Sequence, residues 1–583
     1  MTHARSGKVL VVGDNDLAGL ATVRSLGRAG LAVHLVSFEK PSITRWSRYV
    51  RRTYDLGHPL TEPTAFADRF LALVRDQPFD LAIPTSDKAL LPLMKRRGEI
   101  EDFTRLAAPD DAGFTVTQDK ERTLHLANQL GITVPRSQIL RTVADMDRLE
   151  MPSAFPVVLK PTQSVMLETL ARNEVVIVRS AAELRARLPG LLARCPVLVQ
   201  EFCRGYGVGV VVVADRGTLI GALQHERVHE PPEGGASSYR KTVPLSPDLL
   251  EAARQLCAAL HWTGPAMIEF KVHPETGAAV LMEINGRLWG SLALAIQAGF
   301  DVPRVLHDLL VLGDTRPIRN YRVPFYVRHT TRDLDWLRAN FRAPAGRPDL
   351  LRKSVGQVIG EVNHVLRGRE GYDLESLIDP LPAVRAWLAF AGRGLNFLGR
   401  RWRIARDRRL ATARLDRLPR PRSVLFVCHG NINRSAVAEA LLRDLCRDAN
   451  VEIASAGLLQ REGNTPGPVS VEVAGELGVD LTAHRSSPLT ADRLRRFDLV
   501  LVMEAAHYDS VRRLDPEALH KTFLLSSFAE TGVGSDIEDP DGKSAERFRE
   551  VYQQVIQSTQ ELARWLAVRH VSNVPENPLS RAG

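Results

Sequence analysis

The chain has 583 residues, 44% hydrophobic and 25% charged, with a net charge of +9 at pH 7. At roughly 100–200 residues per domain this length predicts three or four domains, and the composition is that of an ordinary soluble globular protein. Five cysteines without a CxxC pair, no apolar run of the ~18 residues a membrane span needs, and no basic patch interleaved with aromatics point to a reducing cytoplasm and away from nucleic acid.

Residues 8–38, "KVLVVGDNDLAGLATVRSLGRAGLAVHLVSF", predict strand, helix and strand, a βαβ unit. "FDLAIPTSD" near Asp80 predicts another strand of the same sheet, and residues 1–112 form a first domain. No G-x-G-x-x-G follows the first strand, which disfavours a dinucleotide site. A second region, 113–315, opens with a helix that carries Lys120 and ends at Gly131. "FPVVLKP", "PVLVQEF" and "GVGVVVVAD" read as strands. "GPAMIEFKV" and "AAVLMEINGRLWGS" read as strands joined by the turn "HPETG". The stretch "HERVHEPPEGGASSYRK", with Arg227, Arg240 and Lys241, reads either as a mobile lid that meets an anionic substrate or as a plain surface loop.

From 316 to 421 the pattern is helical and ends in a dense arginine run before "PRPR". Residues 392–418 allow two readings: a solvated connector, or a basic amphipathic helix on an anionic membrane surface. Residues 422–570 predict a compact α/β domain, and the polar tail 571–583 predicts disorder.

The first chemical constellation sits in "VLMEINGRLWGS". Residues two apart share a strand face, so Glu283, Asn285 and Arg287 point one way. Glu269 in "MIEF" lies across the hairpin and can face Glu283. Two such carboxylates repel unless a cation lies between them, and Mg²⁺ takes oxygens from one or two carboxylates plus phosphate and water. Lys120 and Lys160 could hold phosphates, and Gln200 with Glu201 at a strand end could meet an adenine edge. Taken singly, Lys120 and Glu201 fit a surface ion pair as well.

In this order, "TQDK", "VVLKP", "LVQEF", "MIEF" and "MEINGR" resemble the ATP-grasp superfamily over residues 1–315. The resemblance implies ATP bound between two α+β lobes. It makes Lys120, Lys160, Gln200, Glu201 and Arg287 ATP contacts, and Glu269, Glu283 and Asn285 ligands of Mg²⁺, with Mn²⁺ as an alternative. It implies ligation: a carboxylate takes the γ-phosphoryl group, and an amine displaces the resulting acyl phosphate. One departure stands out. Where many members have a glycine-rich flap, this chain reads "PTQSVMLETLARNEVVIV".

The second constellation is "VLFVCHGNINRSAVAEALL". A strand ends at Cys428, a loop follows, and a helix begins near Arg434. Helix N-termini bind anions and lower thiol pKa values, and arginine can fork two hydrogen bonds to phosphate. Of the five cysteines only Cys428 has an arginine six residues later. A buried, inert strand-end cysteine is the plain alternative. Asp539, before a proline and just ahead of a helix, can supply a general acid.

With "IASAGL", "LGVDLTAHRSSPLT", "FDLVLVMEAAHYDSVRRL" and "EDPDG" following, this segment resembles the low-molecular-weight protein tyrosine phosphatases. The resemblance implies a doubly wound parallel sheet. It makes Cys428 the nucleophile, Arg434 the phosphate clamp and Asp539 the acid, with His429, Gly430, Asn431, Ile432, Asn433 and Ser435 completing the phosphate loop. Asn433 replaces a frequent second loop cysteine, Ala436 a frequent proline, and Asp541 and Gly542 the aromatics that often line the phenol slot.

The expectation is therefore a mixed α/β and α+β multidomain protein. It would join an ATP-grasp ligase, with unknown carboxylate and amine substrates, to a cysteine-dependent phosphatase acting on phosphotyrosine protein or a phosphorylated metabolite. The alternative is a phosphatase governed by a nucleotide-sensing, non-catalytic ATP-grasp module.

Overall fold

The computed structural model describes residues 7–13, 17–38, 42–163, 175–230, 237–342, 352–392, 414–415, 418–459, 462–529, 535–541, 543 and 545–571. The chain divides into two compact units, Met1–Ala391 and Gly392–Gly583.

The first unit opens with a parallel sheet of β1 (Lys8–Val12), β2 (Ala32–Val36), β3 (Val50–Tyr54), β4 (Leu81–Pro84) and β5 (Arg105–Leu106), in the order β3-β2-β1-β4-β5. Helix α1 (Ala18–Arg28) makes the β1–β2 crossover. Val9 to Val12 are wholly buried, as a parallel strand covered on both faces must be. A four-stranded sheet follows, with β6 (Ser137–Leu140), β7 (Val157–Pro161), β8 (Val176–Val178) and β9 (Val197–Glu201) in the order β6-β9-β7-β8. Helix α2 (Lys120–Gln129) precedes it.

The third sheet has seven strands: β10 (Tyr206–Asp215), β11 (Thr218–His229), β12 (Tyr239–Val243), β13 (Gly264–Val272), β14 (Ala279–Asn285), β15 (Tyr326–Arg328) and β16 (Glu370–Tyr372). Their order is β14-β13-β10-β11-β12-β15-β16. One apolar cluster, with Val23, Leu26, Val211, Trp289 and Phe300, joins this sheet to α1 and the first sheet.

Three sequence expectations need correction. The helical connector expected over 316–421 contributes β15 and β16 to the large sheet, and the first unit runs to Ala391. Two three-residue strands are too short to display a period of two. Their neighbourhood is held by buried ion pairs, Arg240–Asp373 and Arg328 with Asp333 and Glu370, which leave no apolar pattern to read. The stretch expected as a lid or surface loop is paired strand at both ends, since Arg227 is in β11 and Arg240 and Lys241 are in β12, while residues 231–236 between them lie outside the described residues. The second unit begins before residue 422, because Leu415 packs in its core and Arg414 donates to the Leu519 carbonyl at 2.8 Å. Helices α3 (Val355–Gly360), α4 (Val362–Leu366) and α5 (residues 381–392) fulfil the helical reading locally. Residues 393–413, most of the expected basic helix, lie outside the described residues, as do 164–174 of the flap segment and the tail from 572.

The second unit is a parallel sheet of β17 (Ser423–Cys428), β18 (Glu452–Gly457), β19 (Leu499–Val502) and β20 (Thr522–Leu524), in the order β18-β17-β19-β20. Apolar clusters cover both faces, and helices α6 (Arg434–Leu445) and α7 (Ala545–Val571) pack in one of them. This is the doubly wound sheet expected from the sequence. Strand order reverses at β17, and ligands of such sheets bind beyond strand C-termini at that switch point. The C-terminal residue of β17 is Cys428. Among the described residues no helix is long and apolar enough to cross a membrane.

Candidate active sites

At the end of β17 the loop 429–433 turns back to the start of α6. Its turn depends on Asn431, which has φ +54°, a left-handed conformation uncommon outside glycine. Asn431 is fully buried and heavily tied. Its side chain donates to Ser435 Oγ at 3.0 Å and Ser455 Oγ at 2.6 Å, and accepts from Ser487 N–H at 2.8 Å. Its carbonyl oxygen meets His484 Nε2 at 2.8 Å. Ser455 in turn donates to Glu439. These bonds hold the strained turn in a single shape.

The Cys428 sulfur is buried, accepts the Asn431 backbone N–H at 3.2 Å and lies 2.9 Å from Ser435 Oγ. His429 is exposed, Gly430 and Ile432 are half-buried and Asn433 is buried.

Arg434 is wholly buried. Its Nη1 donates to Glu504 at 2.6 Å and to the Ile537 carbonyl at 2.7 Å. Its Nη2 is ion-paired with Asp539 at 2.6 Å, yet neither Nη2 nor Nε makes a hydrogen bond. A buried guanidinium Nε without an acceptor costs stability until one arrives. Asp541 is exposed, accepts from Asn433 Nδ2 at 3.5 Å, and its N–H donates to Asp539 at 3.3 Å. The fold thus gathers Cys428, Arg434, Ser435 and Asp539, which were read from the sequence. It adds Glu504, His484, Ser455 and Ser487, which were not. These four sit on distant strands and loops, and no local spacing marks them.

In the first unit, Glu269 and Glu283 are directly paired across β13 and β14. Asn285 Nδ2 donates to both, at 3.2 and 3.3 Å. Burial pushes the Glu269 carboxyl above its ordinary range; the Glu283 charge adds to this and Arg227 opposes it. Arg227 forms an ion pair with Glu269. Lys160 is nearby: burial pulls its ammonium down, the charge of Lys120 adds to this, and Glu283 and Glu269 oppose it. The Lys120 backbone N–H donates to the Thr162 carbonyl at 3.0 Å, which fixes the start of α2 beside the end of β7.

Arg287 lies just past β14 and pairs with Asp87 at 2.9 Å. Burial alone would raise the Asp87 carboxyl, but Arg287, Gln118 and Lys120 outweigh it and hold it below its ordinary value. Gln200 is buried, donates to Ser137 Oγ at 3.1 Å and has its Oε1 without a partner. Glu201 is exposed and accepts the Arg136 backbone N–H at 2.9 Å, so it is occupied at the edge with β6.

Arg227 was not read as a neighbour of Glu269, although a signal existed in "YGVGV". Gly207 and Gly209 lie on one face of β10. A Cβ at 207 would stand 2.7 Å from Arg227 Cδ, and one at 209 would stand 2.4 Å from His225 Nε2. The bare strand lets both side chains lie flat.

Among the described residues no three His, Cys, Asp or Glu side chains are placed to hold a metal ion. The Glu269, Glu283 and Asn285 trio still fits Mg²⁺, which needs only one or two carboxylates when phosphate and water complete its shell. The crowded carboxylates also call for a cation, a role Arg227 fills here.

A strand, a cradle and a helix, with a cysteine at one end and a buried arginine at the other, give the second unit the form of a phosphatase domain. Residues 423–572 match the family model "Low molecular weight phosphotyrosine protein phosphatase". The low molecular weight protein-tyrosine-phosphatase Etp of Escherichia coli K12 is 37% identical over 145 residues, covering 25% of this chain and 95% of that protein. A protein-arginine-phosphatase of Geobacillus stearothermophilus is 39% identical over 129 residues, covering 22% and 85%. The chain belongs, through its second unit, to the low molecular weight phosphotyrosine protein phosphatase family. Its first unit carries an ATP-grasp domain: residues 194–332 match the family model "ATP-grasp in the biosynthetic pathway with Ter operon". A solved L-amino acid ligase from Bacillus licheniformis is 18% identical with a TM-score of 0.44, covering 55% of this chain and 81% of its own.

Proposed function

We propose that the second unit hydrolyses phosphate monoesters through a phosphoryl group carried on Cys428. The observation that supports this is Arg434, buried with Nε unpartnered and Nη2 held only by Asp539, at the foot of the loop that ties the Cys428 sulfur to Asn431 and Ser435. Phosphate oxygens would take those donors and the loop N–H groups, which oppose the charge gathering on phosphorus. The sulfur attacks phosphorus as the bond to the leaving oxygen breaks, and Asp539 gives that oxygen its proton. Water then attacks phosphorus and passes a proton to Asp539. The S–P bond breaks, inorganic phosphate leaves, and Ser435 Oγ–H steadies the returning thiolate.

Phosphotyrosine protein is the first substrate reading, from the family. Asp541 favours a second, a polar or cationic phosphorylated metabolite or side chain, since Glu504, Asp539 and Asp541 bring carboxylates to the site and none of them grips a phenol ring. A panel of phosphotyrosine peptide, phosphoarginine peptide and phosphosugar separates these readings by kcat/KM.

The first unit is read as an ATP-dependent ligase, which makes the chain bifunctional. Lys120 and Lys160 would hold phosphates, Gln200 and Glu201 the adenine edge, and Arg287 the transferred group. Glu269, Glu283 and Asn285 would hold Mg²⁺, which supplies charge neutralisation for phosphoryl transfer when bound. A substrate carboxylate takes the γ-phosphoryl group of ATP, releasing ADP, and an amine displaces phosphate from the acyl phosphate. Loss of ATP during incubation with carboxylate and amine mixtures tests this. ATP binding without turnover would instead assign the unit to nucleotide sensing.

A further inference from the structure

The outer face of α5 is apolar where a surface helix is ordinarily polar. Leu381, Val384, Trp387 and Leu388 are 52%, 48%, 37% and 61% exposed, and Leu377 and Ile378, just before the helix, are 101% and 60% exposed. The inner face is settled: Ala383 and Ala386 pack with Leu20, Leu374 and Ile43. The preceding turn is also fixed. The buried Asp379 carboxylate accepts from Arg24 Nε at 2.9 Å, Ser47 Oγ at 2.7 Å and the Arg48 N–H at 2.8 Å. The apolar face is therefore held rigidly outward.

Its rim is cationic and aromatic. The Arg385 guanidinium lies 3.9 Å over the ring of Trp46, which is 41% exposed. Arg48 donates to the Ile378 carbonyl at 3.1 Å, and Arg45 and Arg48 are exposed. Within α5 Arg385 is the one charged residue, and the half-buried Glu375 ahead of it accepts the Trp387 Nε1–H at 2.8 Å.

We propose that this face of α5, with its rim of Arg45, Arg48 and Arg385, docks on an anionic lipid bilayer. Branched aliphatic side chains would enter the acyl boundary. Half-exposed indoles suit the headgroup level, and arginines gain from negative headgroups. Charge decides against a second copy, because self-association here would bring arginine rims of the same sign together.

Flotation of the full chain with phosphatidylcholine vesicles, with and without phosphatidylglycerol, tests the proposal. The wild type floats with the phosphatidylglycerol vesicles, less so at high salt. The exposed double variant Leu381→Glu/Leu388→Glu loses at least ~10-fold in partitioning and keeps its circular dichroism and p-nitrophenyl phosphate hydrolysis. Equal flotation of variant and wild type overturns the proposal, as does failure of the wild type to bind. A wild-type dimer on gel filtration that the variant dissolves overturns it too, by giving the face to a second copy.

Discussion

Arg434 Nη2 stands 2.6 Å from Asp539 Oδ2, so the residue expected to clamp phosphate touches the residue expected to protonate the leaving group. An anion entering the cradle competes with Asp539 for that guanidinium. Displacement would turn the carboxyl toward the leaving oxygen.

Asp539→Asn removes the competitor and the acid together. We expect kcat for phenyl phosphate to fall ~10²–10⁴-fold, while inorganic phosphate inhibits at least as well as in the wild type. The loss is smaller for p-nitrophenyl phosphate, whose leaving group needs no proton. Steady-state kinetics with both esters checks this. Weaker phosphate inhibition would show that Asp539 helps bind the anion rather than vying with it.

Asn431 supports the cradle by conformation and by hydrogen bonds. Asn431→Ala pays the left-handed strain and strands the groups around it, at a combined cost of ~2–4 kcal/mol. The second unit should melt earlier and lose most of its activity. Asn431→Gly relieves the strain but not the lost bonds, so its melting temperature should fall between the two.

Glu283→Ala leaves Glu269 without its cross-strand partner and Asn285 without one of its two carboxylate acceptors. Mg²⁺-dependent ATP consumption should vanish, while p-nitrophenyl phosphate hydrolysis stays at the wild-type rate. Cys428→Ser should do the reverse, with ATP binding intact by calorimetry.

Acid should destabilise both units through buried histidines. Burial, then the charges of Arg434 and His429, pulls His507 down to about 4 from 6.5. Between those values the unfolded chain binds the proton and the folded one does not. This contribution is therefore present above pH 6.5 and lost as pH falls toward 4. His225, at about 3, and His329, at about 4, act likewise in the first unit. Scanning calorimetry should show melting temperatures dropping below pH 6.5, and His507→Gln should flatten that slope for the second unit alone.

Much of this was legible because chemistry and local pattern coincided. Cys428, Arg434 and Ser435 lie within eight residues of one strand-loop-helix, and the Glu269–Glu283 pairing follows from one hairpin. Glu504 and His484 were not legible, since each reaches the cradle from another part of the fold. Strands β15 and β16 were missed for a different reason. The region binding them is built from buried ion pairs, and charged residues in a sequence read as surface.

The central claim is that phosphate passes through Cys428. Asp539→Asn, mixed with p-nitrophenyl phosphate and quenched in acid, tests it directly by peptide mass, because loss of the base slows the second step. The peptide containing Cys428 should gain the mass of one phosphoryl group, and the corresponding peptide of Cys428→Ser should not. Release of p-nitrophenol with Cys428 unmodified, or with the phosphoryl group on another residue, would contradict it.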